Sequence, residues 1–337
     1  MNPLTETIGT FGLAGIWTYL ALFLAASLLI IWRLEALLRG GLEGTALGTL
    51  VMPYCSGLGN LIFVLIVIRD KLPAAEILTN CVVNNVTNLT LVLAMPALAW
   101  GLNLGAPAKA AGSKSGKKSA GAGDSESRLN RLSLLLTLGA ALFFAGITWV
   151  LGADDTLDRN DGLALAGVFL FWQSFQVFDV LKHNVRERRS FGAWFYFDLG
   201  VVLLAGFALY TSIDWLVAWL SARPAGFVSG SNLGWLSGWL MVLPNALLAF
   251  YYAAKGRADI VYTSQIGDGH ICIPLCLGLA AIWRPLAIPA FFGTGLLILL
   301  CAVLVHGISL LGANGLPRWL AWPLLAGYAW FVVSGLG

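Results

Sequence analysis

The sequence predicts an all-α membrane protein of about ten transmembrane helices, arranged as two inverted-topology five-helix repeats. Of the 337 residues, 58% are apolar and only 11% are charged, whereas soluble domains carry about 25% charged residues. The mean hydropathy is +0.82. Many apolar runs reach the roughly 20 residues that a helix needs to cross the hydrocarbon core of a bilayer. We therefore expect an integral, multi-pass membrane protein whose main partner is the lipid bilayer.

Glycine, proline and charged loops divide the chain into ten apolar segments. Each is long enough to cross the membrane once. We place the ten spans at residues 12–33, 44–68, 74–101, 130–151, 162–181, 194–220, 234–254, 259–283, 286–308 and 318–335.

The spans group into two halves separated by polar loops. Residues 1–101 form the first half, with spans one to three, and residues 131–181 add spans four and five. Between them, residues 102–130 are rich in Ala, Gly, Ser and Lys, which is typical of a flexible cytoplasmic loop. Residues 182–193 form a basic cytoplasmic loop, and residues 194–337 form the second half with spans six to ten.

Basic residues indicate how the spans are oriented. The loops after the odd-numbered spans hold 15 of the 20 lysine and arginine residues. Because cytoplasmic loops carry an excess of basic residues, we expect those loops in the cytoplasm and both termini outside, in a bacterial-type inner membrane. Five spans per half is an odd number, so two similar halves must face opposite ways, as in many secondary transporters.

Composition also excludes several classes of function. The net charge of +3 comes from short loops, so nucleic acid is not an expected partner. No Ser/His/Asp or paired-carboxylate arrangement indicates an enzyme, and we expect no cofactor. The five cysteines lie inside spans without a CxxC pair, which favours small core residues. A small inorganic ion is the expected second partner, and the sequence leaves the oligomeric state open.

A weak internal repeat relates residues 52–95 to residues 238–282. In each copy a helix-breaking element, Gly57–Asn60 or Leu243–Asn245, precedes an apolar run, a charged turn and a span with polar residues at its centre. Backbone groups freed at membrane depth are tolerated where they are buried in protein or line a polar cavity. Asparagines also hold neighbouring helices together, but four within nine residues favour a polar site.

These two regions resemble the alpha repeats of the calcium/cation antiporter superfamily, which includes the sodium/calcium exchangers. In the first repeat, Cys55–Asn60 resembles the family's Gly-Thr-Ser-Leu-Pro-Glu element, and Asn84–Leu89 resembles its Ser-Asn-x-x-Asn motif. In the second, Leu243–Asn245 resembles Leu-Pro-Glu, Lys255–Ile260 resembles the basic turn and helix start, and Ile266–Cys272 occupies the Gly-Ser-Asn-x-x-Asn stretch. The resemblance implies a central cation site formed by spans two, three, seven and eight, with alternating access driven by an ion gradient.

The departures from the family motif are as informative as the matches. The resemblance puts the family's two acidic ligands at Asn60 and Asn245, which are both neutral amides. It puts Gly269 and Cys272 where the family has Asn or Asp. Calcium favours six to eight oxygen ligands, several of them carboxylates, so these changes indicate a less acidic site and argue against classical sodium/calcium exchange.

Asp268 is the one acidic residue near the centre of the site spans. Ionisable residues within spans are rare and usually functional. His270 follows at i+2 and points elsewhere on a regular helix, whereas Cys272 at i+4 shares the face of Asp268. Because a thiol is a soft ligand, the sequence leaves open that the site binds a softer transition metal. The candidate ion-binding residues are Ser56, Asn60, Asn84, Asn85, Asn88, Asn245, Asp268 and His270.

Other ionisable residues are expected in pairing or interfacial roles. Asp179, Asp198, Asp214 and His306 lie near span ends or at the periphery. The leading hypothesis is therefore a secondary cation transporter that exchanges Na+, H+ or another cation. The alternative is a transport-inactive relative that acts as a membrane scaffold or sensor.

Overall fold

The computed structural model describes five stretches of the chain: residues 13–37, 57–104, 120–184, 192–223 and 226–337. These residues are almost wholly helical, as the sequence predicts. The helices in chain order are α1 (Leu13–Leu37), α2 (Leu58–Arg69), α3 (Ala75–Trp100), α4 (Ala120–Leu151), α5 (Arg159–Asn184), α6 (Ala193–Ser221), α7 (Leu233–Ala254), α8 (Ala258–Trp283), α9 (Phe292–Ala313) and α10 (Arg318–Leu336).

Nine of the helices in the described ranges are long and apolar enough to cross a membrane. The tenth, α2, is a shorter apolar helix, and the first part of predicted span two lies outside the described residues. Two other starts differ from prediction by more than three residues. Helix α4 begins at Ala120, inside the predicted flexible loop. Helix α9 begins six residues later than predicted because Leu286–Ala287 form a strand.

Four two-residue strands reveal the symmetry of the two halves. Strand β1 (Leu102–Asn103) follows α3 and pairs with β4 (Gly315–Leu316), which lies between α9 and α10. Strand β3 (Leu286–Ala287) follows α8 and pairs with β2 (Thr156–Leu157), which lies between α4 and α5. Each helix of one half corresponds to a helix of the other half: α3 to α8, α9 to α4 and α10 to α5. This correspondence converts the first strand pair into the second.

The contacts between helices show the same correspondence between the two halves. The C-terminal part of α3 packs on α10, and the C-terminal part of α8 packs on α5. Helix α1 packs on α6 and α4 packs on α9, so each of these pairs maps onto itself. Because each half contains five helices, the halves have opposite orientation in the bilayer. The fold is thus the inverted repeat that the sequence predicts.

Helices α3 and α8 form the centre of the molecule. In their most apolar windows, 83% of α3 and 72% of α8 is buried, against 17% for α10 and 22% for α5. Each central helix is interrupted by one five-residue π-helical segment, Asn88–Val92 in α3 and Cys272–Cys276 in α8. The two segments occupy equivalent positions, 13 and 14 residues after their helices begin. Such segments are frequent at functional sites.

Two glycines allow α5 to lie directly against α8. A Cβ atom on Gly162 would lie 2.6 Å from the backbone nitrogen of Ile282 and 2.7 Å from the carbonyl oxygen of Gly278. Small residues of this kind let helix backbones approach closely in membranes. The contact attaches a peripheral helix to a central one.

We expect Gly162→Ala to destabilise the fold by about 1–3 kcal/mol, the usual cost of overpacking a rigid contact. The clash is with backbone, so no side-chain rotation can relieve it. Thermal unfolding in detergent measures the effect. Gly167→Ala is the matched control on the same helix, because its Cβ meets nothing within 4 Å. Equal melting temperatures for the two variants would contradict the packing argument.

Candidate functional site

Asp268 lies at the centre of the molecule and is completely buried. Its Oδ2 accepts a hydrogen bond of 2.9 Å from Asn88 Nδ2 and one of 3.4 Å from Asn245 Nδ2. Its Oδ1 accepts one of 3.4 Å from Asn60 Nδ2. The three amides come from α2, α3 and α7, so four helices of both halves meet at one carboxylate.

Further amide contacts close these residues into a ring. Asn84 Nδ2 donates to Asn60 Oδ1 at 3.4 Å, and Asn88 Nδ2 donates to Asn84 Oδ1 at 3.0 Å. The path therefore runs from one carboxylate oxygen of Asp268 through Asn60, Asn84 and Asn88 back to the other oxygen. We call these four residues the amide ring.

Glycines bring α2 close enough to supply Asn60. A Cβ on Gly57 would lie 2.6 Å from the Ile271 side chain of α8, and one on Gly59 would lie 2.7 Å from Met241 Sδ of α7. At Gly57 the contact includes the branched Cβ of Ile271 at 2.7 Å, so a side chain there would force the helices apart. The flexible Met241 side chain, in contrast, could move away from position 59. The Gly-Leu-Gly element before Asn60 is thus a packing device that places the first turn of α2 against the partner half.

Helix α3 is held against α7 by polar bonds and small residues. Asn80 Nδ2 donates to Ser237 Oγ at 3.0 Å. The backbone N–H of Gly234 donates to Glu76 Oε2 at 2.6 Å, and a Cβ on Gly234 would clash with Thr79. These contacts fix the position of α3 along its axis relative to Asn245 on α7.

Asn85 lies beside the amide ring rather than in it. Its Nδ2 donates to the Cys81 carbonyl one turn earlier at 2.7 Å. A Cβ on Gly269 would stand 2.5 Å from Asn85 Oδ1. The glycine at position 269 therefore makes room for the Asn85 amide oxygen, which explains why the second repeat lacks a polar side chain there.

Thiols line one side of the amide ring. Cys272 Sγ lies 3.8 Å from Asn84 Oδ1 and 3.9 Å from Asp268 Oδ1. The predicted shared face of Asp268 and Cys272 is thus present. The Cys81 thiol is within hydrogen-bonding reach of those of Cys272 and Cys276. Among the described residues, however, no group of three or more His, Cys, Asp or Glu is arranged to hold a metal ion.

His270 points away from Asp268, as its i+2 spacing implies. Its Nε2 donates to the Thr137 carbonyl of α4 at 3.0 Å, and its ring meets Phe144 and Trp172 edge to face. The described contacts of His270 give it no part in the amide ring. Ser56, another candidate, lies outside the described residues.

His306 was expected at the periphery, and that expectation is wrong. The side chain is completely buried, and its Nε2 donates to the Leu89 carbonyl at 2.7 Å. Leu89 belongs to the π-helical segment of α3. A π turn frees carbonyls from the regular helical pattern, and His306 satisfies one of them. No sequence motif around position 306 signals this contact.

Asp198 and Asp214 are pairing residues, as predicted. Asp198 binds Arg33 at 2.9 Å, and Asp214 binds Arg69. The side chain of Asp179 lies outside the described part of the structure.

A small cavity adjoins the amide ring. It has a volume of about 30 Å³, lies between α1, α2, α6 and α7, and is lined by Ser27, Asn60 and Asn245. A space of this size holds about two water molecules. Two of the amides that bind Asp268 thus also face a space large enough for one or two water molecules.

The amide ring carries one formal charge. In the described structure, the side chains within hydrogen-bonding reach of Asp268 are four neutral amides, Asn84 included, and one thiol, and none is a Lys, Arg or His. Amide and carboxylate oxygens are the ligands that hard cations prefer. Chemically, the arrangement suits a cation or a proton.

Ten helices in two inverted halves, with interrupted central helices meeting at a buried carboxylate, define an inverted-repeat fold of the kind found in secondary transporters. No protein-family model and no curated protein sequence matches the chain. Solved structures of the sodium-calcium exchanger NCX_Mj do match it.

The match to NCX_Mj extends over nearly the whole chain. With NCX_Mj soaked in 2.5 mM Na+ and 1 mM Sr2+, the TM-score is 0.64 at 16% identity, and the alignment covers 99% of both chains. With NCX_Mj in 10 mM Na+ and zero Ca2+, the TM-score is 0.64 at 17% identity, covering 95% of this chain and 98% of the other. This likeness shows that the protein has the sodium-calcium exchanger fold.

Proposed function

We propose that the protein is a secondary cation transporter of the calcium/cation antiporter superfamily, with a single cation site at Asp268. The observation that carries the proposal is the amide ring itself, a buried carboxylate at the meeting point of four helices from both halves. A carboxylate in a membrane interior is energetically costly, and ionisable residues there usually mark the path of an ion or a proton. We also propose that the basic loops are cytoplasmic and both termini outside.

The charge of the site favours a monovalent cation or a proton. Transfer of an uncompensated ion from water to a low-dielectric interior is very costly. One carboxylate neutralises one positive charge, so Na+, another monovalent cation or H+ would leave the site neutral. Ca2+ would leave a net charge of +1 in the absence of the two further carboxylates that the family resemblance implies at Asn60 and Asn245. We therefore propose that classical sodium/calcium exchange is not the activity.

Flux measurements in proteoliposomes test this function. Purified protein is reconstituted, and uptake of Na+, K+, H+, Ca2+ and Mn2+ is followed under gradients of each partner ion. We expect exchange that involves a monovalent cation or proton, and no sodium-driven calcium uptake. Calcium uptake driven by sodium would contradict the proposal that a site with neutral side chains at Asn60 and Asn245 does not support sodium/calcium exchange. The absence of any flux and of any ion binding would favour the alternative of a membrane scaffold or sensor.

A further inference from the structure

The amide ring has a direction. Asn88 Nδ2 donates both to Asp268 Oδ2 and to Asn84 Oδ1, Asn84 donates to Asn60, and Asn60 donates to Asp268 Oδ1. At both ends of the path an N–H group therefore faces the carboxylate. This arrangement is complementary to an ionised Asp268 without a cation, because a carboxylate accepts hydrogen bonds only.

The same direction is unsuitable once a cation binds to Asp268. A cation needs oxygen ligands, but the amide groups nearest to the carboxylate present N–H donors to it. The Oδ1 atoms of Asn60 and Asn84 are engaged inside the ring. Asn88 Oδ1 is buried and has no partner among the described residues. The oxygens that a cation requires are present, but they point away from it.

Rotation of the three amides by half a turn would reverse the ring without moving any helix. A side-chain amide has a carbonyl acceptor at one end and an NH₂ donor at the other, so rotation exchanges the two. Asn60 Nδ2 would then donate to Asn84 Oδ1, and Asn84 Nδ2 would donate to Asn88 Oδ1. The oxygens of Asn60 and Asn88 would both face Asp268, and every bond between amides would survive with its direction changed.

We propose that cation binding at Asp268 reverses the amide ring, so that the oxygens of Asn60 and Asn88 join the carboxylate as cation ligands. This inference rests on the proposed function and deepens it by naming the ligand set. Asn245 donates to Asp268 Oδ2 outside the ring and supplies a further oxygen by its own rotation. The resulting site, one carboxylate and three amide oxygens, is hard and carries one negative charge, which suits Na+.

The occupancy of the Asp268 carboxylate determines whether the ring has the observed or the reversed direction. One end of the Asn88 amide lacks a partner in either direction of the ring. In the described structure this end is the oxygen, and after reversal it would be the NH₂ group. The inter-amide bonds are equal in number, so their contribution does not distinguish the states. The difference lies at Asp268, where a bare carboxylate favours donors and a neutralised one favours acceptors. A protonated Asp268 would also favour reversal, because its O–H donates to an amide oxygen.

Asn84 acts as a positioning residue in this scheme. Both ends of its amide are bonded within the ring, to Asn60 and to Asn88, and its side chain is also within hydrogen-bonding reach of Asp268. Its rotation couples the other two amides, so Asn60 and Asn88 turn together. A residue with a single type of hydrogen-bonding group at position 84 could not transmit the change.

Isotope-edited infrared difference spectroscopy tests the proposal on the full chain in lipid vesicles. Protein labelled with ¹³C at the asparagine side-chain carbonyl is perfused with NaCl, with KCl, or with acidic buffer, against a buffer of a large organic cation. We expect a carboxylate band change together with a shift of labelled amide carbonyl bands. The amide bands should lose intensity in Asn60→Ala and Asn88→Ala and persist in Asn232→Ala, a control whose partly exposed amide donates to the Phe227 carbonyl and to no residue of the ring.

The wild-type spectrum by itself distinguishes a carboxylate response from an asparagine response, so the test survives poor folding of a variant. A carboxylate response with silent asparagine bands would overturn the ring reversal and leave the proposed function intact. No response of either group to Na+, K+ or acid would overturn the function and the reversal together. An asparagine response that persists in Asp268→Ala, which adds no labelled amide, would also overturn the reversal, because the carboxylate would then not control it.

Discussion

Replacing Asp268 by asparagine is expected to abolish cation flux. The side chain keeps its size and the described amides keep a carbonyl oxygen to bind, so we expect the variant to fold. The site loses its only negative charge. Loss of one partner of a buried charge pair typically costs about 3–5 kcal/mol, which corresponds to a fall in cation affinity of roughly 100-fold or more. Proteoliposome flux and isothermal titration measure the two effects separately.

Asp259→Asn is the matched control for this experiment. Asp259 lies on the same helix but near its start, where its carboxylate binds Arg257 at 2.9 Å. The pair is partly exposed, and exposed pairs contribute little to stability. We expect flux close to that of the wild type. Comparable flux from the wild type and Asp268→Asn would contradict the assignment of the cation site to Asp268.

The fold could be predicted from sequence because the bilayer imposes strong constraints. A helix must satisfy its own backbone in lipid, so the apolar runs alone predict spans close to those observed. The strand pairs β1–β4 and β2–β3 could not be predicted, because each is only two residues long and joins distant parts of the chain. The strand at Leu286–Ala287 is apolar, so hydropathy alone assigned it to the following span.

The candidate site was predictable in its composition but not in its connections. Asn60 and Asp268 are 208 residues apart, and only the family resemblance implied that they meet. Helical spacing correctly indicated that Cys272 shares the face of Asp268 and that His270 does not. The π-helical segments follow from tertiary packing, so neither they nor the His306 contact to Leu89 left a local signal. The direction of the amide ring depends on which end of each amide faces its neighbour, which no sequence pattern encodes.

The double substitution of Asn60 and Asn245 by glutamate is expected to convert the site to calcium binding. The two amides donate to different oxygens of Asp268, one to Oδ1 and one to Oδ2. Glutamates there would flank the existing carboxylate from both sides and raise the formal charge of the site from −1 to −3. Calcium coordination by several carboxylates then becomes favourable. Without calcium, the three buried carboxylates repel one another and favour protonation, so the fold should be less stable.

Thermal unfolding with and without CaCl2 measures the calcium binding gained by the double variant. At a calcium concentration of about 100 times the dissociation constant, binding stabilises the folded state by about 2.7 kcal/mol, so we expect a clear rise in melting temperature for the double variant and none for the wild type. The control is the double substitution by glutamine, which has the length of glutamate without its charge. If glutamine produced the same calcium response, side-chain length rather than charge would set the selectivity. If glutamate produced none, Asn60 and Asn245 would not stand at the positions of cation ligands.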